Sequence, residues 1–83
     1  MTLYEFNALP YERQLVLVFD QARFLATRWE EEEDAVNLYL LPGGPFVEIF
    51  YDTHANEITR LRAFTSSVPL EDYVAGIQLP RLR

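Results

Sequence analysis

The tetrapeptide Pro42-Gly43-Gly44-Pro45 constrains this chain more than any other feature. Proline lacks a backbone N–H and has a fixed φ, so neither a helix nor an inner strand runs through it. Two glycines between the prolines add a chain reversal. Residues 35–41 before this breaker and 46–51 after it therefore read as separate strands. A strand over 24–30 precedes them across a hairpin tip at 31–34. Another, over 57–64, follows Asp52-Thr53-His54-Ala55-Asn56, where Asp and Asn provide turn chemistry. Consecutive strands with short connections pair in antiparallel order, so the expectation is a four-stranded antiparallel meander.

Helical patterns flank the strands. Residues 3–20 read as helical, with Leu3, Tyr4 and Phe6 in a short turn ahead of Asn7. Pro10 suits a first helical turn, where its missing N–H costs nothing. Tyr11, Leu15, Val18 and Ala22 then recur at intervals of four and three. Near the C-terminus Ser67 suits an N-cap, Pro69 a first turn, and Glu71 and Asp72 complement the dipole. Leu70, Tyr73, Val74 and Ile77 form an amphipathic stripe, and Pro80 closes it. The chain thus reads as one α+β domain over residues 1–83, an N-terminal and a C-terminal helix packed on one face of the meander.

Strand periodicity of two assigns the faces. Folding about 31–34 and 42–45 puts Leu25, Thr27, Trp29, Val36, Leu38, Leu40, Val47, Ile49 and Tyr51 on one side. Phe24, Ala26, Arg28, Asn37, Tyr39, Leu41, Phe46, Glu48 and Phe50 go to the other. Residues 57–64 are assigned by cost, because burying two unpaired arginines costs several kcal/mol each. Leu61 and Ala63 therefore turn inward, and Arg60 and Arg62 join the mixed outer face.

Composition removes whole classes of function. With no cysteine there is no disulfide scaffold, thiolate zinc site, iron–sulfur cluster or cysteine nucleophile. All seven cations are arginine, so Schiff-base chemistry and a Walker-type loop are excluded. Thirteen carboxylates give a net charge of −6, and no basic run exists. Nucleic acid and anionic membranes are thus poor partners, whereas a basic protein fits the charge. The longest apolar run, residues 15–19, is far short of a membrane span. The N-terminus lacks the positive region of a secretory leader, and the expected compartment is a reducing cytoplasm.

No constellation specifies a reaction or a cofactor. Glu30, Glu31, Glu32, Glu33 and Asp34 form an acidic tip, a candidate surface for a basic partner, but without cation-loop spacing. The loop from Asp52 has oxygens at its first and fifth positions, yet Glu57 replaces the glycine and Ala63 the glutamate of a calcium loop. The sole histidine, His54, falls in that turn, away from Ser66 and Ser67, and capping already accounts for Ser67.

The run Leu9-Pro10, Gln14, Phe19-Asp20, Phe24-Leu25-Ala26, Leu38-Tyr39, Phe46-Val47-Glu48-Ile49-Phe50-Tyr51-Asp52, Asn56-Glu57-Ile58 and Arg62-Ala63-Phe64 resembles a group of short, single-domain bacterial proteins with no assigned function. The resemblance implies a standalone cytoplasmic domain and carries no catalytic residue over. The outer face, rich in aromatics and arginine, has the composition of a protein interface. The leading expectation is a non-enzymatic binding or scaffold module that forms a homodimer through Tyr39, Phe46, Glu48, Phe50, Arg60 and Arg62. An acidic inhibitor of a basic partner, an anion site at Arg60 and Arg62, and cover of this face within the chain are the alternatives.

Overall fold

Thr2 opens the structure. Its hydroxyl accepts from the Glu5 N–H at 3.0 Å, and the Glu5 carboxylate accepts from the Thr2 N–H at 2.8 Å. This reciprocal box starts a short helix, α1 (Leu3–Asn7). Pro10 then caps the longer α2 (Tyr11–Gln21), its carbonyl accepting from Arg13 and Gln14. Proline stands one position earlier than the sequence pattern suggests, because its extended ψ of 151° places it outside the helix. The Gln14 amide donates to the Phe6 carbonyl at 2.9 Å and ties the two helices together.

The computed structural model describes residues 1–30 and 34–66, together with Pro69 and Tyr73. Four strands follow the helices: β1 (Arg23–Glu30), β2 (Asp34–Leu40), β3 (Phe46–Asp52) and β4 (Glu57–Phe64). They form one antiparallel sheet in the order β1-β2-β3-β4, so the class is α+β and, among the described residues, the edges are β1 and β4. The expected C-terminal helix and the tip residues Glu31, Glu32 and Glu33 lie outside the described residues. No helix among the described residues is long and apolar enough to cross a membrane.

The sheet has an Ile49 side and a Glu48 side. On the Ile49 side, Phe6 of α1 and Val18 of α2 form a buried cluster with Leu41, Val47 and Ile49. Tyr39, Ile58, Leu61 and Ala63 pack around it. On the Glu48 side, Leu38, Phe46, Phe64 and Tyr73 form a second cluster, with Leu25, Ala26 and Leu40 at its margin.

Strand β2 is turned over relative to the sequence expectation. Counting four-residue loops at 31–34 and 42–45 makes Leu40 a neighbour of Val47. In the structure Leu40 pairs with Phe46, and Glu30 pairs with Asp34. Each loop therefore differs by one residue from the count, and a one-residue slip moves every side chain of a strand to the opposite face. Val36, Leu38 and Leu40 accordingly belong to the Glu48 side, and Tyr39 belongs to the Ile49 side. Leu41 leaves the strand altogether. Its N–H donates to the Pro45 carbonyl and its carbonyl accepts from Gly44, so its side chain drops into the cluster with Phe6 and Val18. Gly43 and Gly44 make this turn at φ of 75° and 85°, a region that favours residues without a Cβ.

Phe24 also changes side. The ladder shifts between Phe24 and Ala26, leaving Leu25 as an extra residue, so Phe24 pairs with Tyr39 and shares its face. A second shift, between Phe50 and Tyr51, makes Thr59 the extra residue of β4. From there Arg60 pairs with Phe50, Leu61 with Ile49 and Arg62 with Glu48. Both arginines thus lie on the side away from Phe6 and Val18, as the cost of burying them requires.

Candidate functional site

Glu48 is the most constrained polar group on its side of the sheet. It sits on an inner strand, fully buried among Leu38, Phe46 and Phe50. A carboxylate removed from water needs charged partners. Arg62, directly opposite on β4, donates through Nε to Oε1 at 2.9 Å and also through its second terminal nitrogen. Arg28 reaches over β2 from β1 and donates through Nε to Oε2 at 3.3 Å. The Tyr73 hydroxyl donates to the same oxygen at 2.8 Å. No buried side-chain nitrogen or oxygen among the described residues lacks a partner.

The surrounding electrostatics reinforce this arrangement. Arg28 also bonds Glu30 at 2.8 Å. Burial works against its charge, but the Glu30 hydrogen bond and the Glu48 charge outweigh it and hold the guanidinium proton more firmly than usual. Burial, followed by the hydrogen bond and charge of Glu48, pushes the Tyr73 phenol well above its ordinary range. Three guanidiniums lie over aromatic faces: Arg60 at 4.0 Å from Phe50, Arg62 at 5.5 Å from Phe64, and Arg28 at 5.7 Å from Tyr73. Phe46 and Phe64 stack at 5.6 Å.

This centre is chemically saturated. Both Glu48 oxygens are occupied by fixed donors, which leaves no lone pair aimed at a reacting group. Its physical consequence is to join β1, β3, β4 and Tyr73 at a single charge. The structure brings Phe46, Glu48, Phe50, Arg60 and Arg62 together as expected, with Phe46, Glu48 and Phe50 buried inside one chain. Tyr39 is not among them. Glu30 is exposed and paired with Arg28, Asp34 lies opposite Glu30, and the described residues contain no cluster of groups able to hold a metal ion.

The exposed aromatic surface lies on the other side. Phe19 of α2 and Phe24 of β1 both meet Tyr39 edge-on, with ring centroids 6.1 Å and 5.7 Å away. Trp29 continues the row along β1. Phe24 is 54% exposed and Trp29 is 61% exposed, although both sit on a sheet. Between them Thr27 donates to the Asn37 side chain at 2.7 Å. The reason for the exposure is lateral. The cluster around Phe6 and Val18 draws on Tyr39, β3 and β4, and among the described residues it includes none from β1.

Comparison adds no relative. No protein-family model, curated protein or solved structure matches the chain. The reading of this surface accordingly rests on its own chemistry. Sequence reasoning grouped Phe24 and Tyr39 with the arginines and missed the strip formed with Phe19 and Trp29. The available signal was Phe19, which follows Leu15 by four residues and so borders the Tyr11, Leu15, Val18 and Ala22 stripe on the flank that meets Tyr39.

Proposed function

We propose that this chain is a non-enzymatic protein-binding module, and that its contact surface is the strip of Phe19, Phe24, Trp29 and Tyr39 beside the edge strand β1. The observation that carries the proposal is the exposure of Phe24 and Trp29 on an edge strand. Large aromatics dominate binding energies, and an edge strand offers unpaired backbone groups to a second chain. The saturation of Glu48 supports a binding reading over a catalytic one. The lack of cysteine supports a reducing, cytoplasmic setting. The surface differs from the arginine face inferred from sequence, because Phe46 and Phe50 already find cover within their own chain.

A photo-crosslinking side chain tests the proposal. Placed at Trp29, it is expected to give protein adducts on illumination in the producing cell. Placed at His54, on an exposed turn at the far end of the β3–β4 hairpin, it is expected to give none. Equal yields at the two positions, or none at Trp29, would refute the assignment.

A further inference from the structure

Resting on that reading, we infer that the partner of β1 is β1 of a second copy, paired antiparallel about a two-fold axis at Thr27 to make one continuous eight-stranded sheet. The argument is self-complementarity. With Thr27 opposite itself, Arg28 lies opposite Ala26. Leu25 is the extra residue of the bulge, so the ladder resumes with Trp29 opposite Phe24 of the second copy and Glu30 opposite its Arg23. Each of these pairs shares a side. Phe24 and Trp29 both belong to the Ile49 side, whereas Arg23 pairs with Leu40 and Glu30 with Asp34 on the Glu48 side. One axis thus matches two exposed aromatics with each other, twice, and two opposite charges with each other, twice. Cross-strand aromatic pairs and opposite charges are the stabilising combinations in a sheet. An isologous contact of this kind closes at two copies.

The other edge lacks this property. Pairing β4 with itself about Leu61 sets Arg60 opposite Arg62, a like-charge contact on one face. Pairing β1 with β4 would be heterologous, giving a ring or an open array in place of a two-fold dimer. The Arg23 and Glu30 charges therefore select one partner and one register.

The experiment uses the full chain, which has no native thiol to interfere. Residues directly opposite in an antiparallel pair have Cα atoms about 4.5–5.5 Å apart, within disulfide reach. Thr27→Cys is expected to form a covalent dimer under mild oxidant, while Tyr4→Cys, an exposed control on α1, does not at the same concentration. By light scattering the wild type is expected to approach twice the 9.7 kDa chain mass as concentration rises. Arg23→Glu alone and Glu30→Arg alone are each expected to weaken dimerisation roughly tenfold, since two attractions become two repulsions. Mixing these two variants is expected to restore it, because both cross-axis pairs again join opposite charges. Circular dichroism confirms that each variant is folded. A Thr27→Cys chain that stays monomeric under oxidant, or a mixture no tighter than its separate components, overturns the inference. Adducts at Trp29 without a thiol link at position 27 would refute self-pairing and leave the binding module standing. No adducts at Trp29 would refute both.

Discussion

Replacing Glu48 by Gln keeps the shape of the side chain and removes its charge. The carboxylate holds Arg28, Arg62 and the Tyr73 hydroxyl, all donors. An amide offers one acceptor oxygen and turns its NH2 group toward a donor, so at least one contact becomes donor against donor. Breaking a buried ion pair costs about 3–5 kcal/mol when the surviving charge stays buried. Arg62 keeps 43% of its side chain in solvent and can regain water, whereas Arg28 keeps 13% and retains Glu30. The expected loss is therefore about 2–4 kcal/mol. A domain of this size has roughly 4–12 kcal/mol in all, so the midpoint should fall by about 10–25 °C. Urea unfolding followed by circular dichroism measures the change, with the slope checked for two-state behaviour. A loss under about 0.5 kcal/mol would refute the view that this carboxylate anchors the sheet.

Three further outcomes follow from individual contacts. Tyr73 holds its phenol proton more tightly when folded, mainly through burial and then through Glu48. Its stabilisation is therefore complete below the unfolded value of about 10 and is lost as pH rises beyond it, so unfolding at about pH 8 and about pH 11 should differ less in Tyr73→Phe than in wild type. Gly43→Ala meets no atom within 4 Å but must hold φ at 75°, so calorimetry should show a purely conformational loss of about 1–2 kcal/mol. Leu41→Ala opens a cavity beside Phe6 and Val18 and should cost about 2–4 kcal/mol in denaturant unfolding, whereas a residue on an open face would cost almost nothing.

Much of the fold is legible in the residues because turn chemistry and strand composition agree. The Pro-Gly-Gly-Pro breaker and the Asp52–Asn56 turn mark strand ends to within one residue. The side taken by β4 was decided by the energy of burying Arg60 and Arg62, an argument indifferent to loop length. The side taken by β2 had no such anchor. Val36, Leu38 and Leu40 are apolar, and so are much of Tyr39 and Leu41, so either face accepts the strand. Register then depended on counting loops, and each loop differs by one residue. Bulges are equally silent in sequence, and the one at Leu25 moved Phe24 beside Tyr39. The arginine–aromatic grouping was readable from composition. Its burial was not, because composition does not report which face another part of the chain reaches, and Tyr73 reaches the Glu48 side.

The assignment of β1 as the interacting edge is tested most directly by amide hydrogen exchange on the wild-type chain at about 1 mM and again after about hundredfold dilution. The account predicts that outward amides of β1 are protected at the high concentration and lose protection on dilution, while those of β4 exchange quickly at both. Equal, rapid exchange along both edges at the high concentration would contradict it.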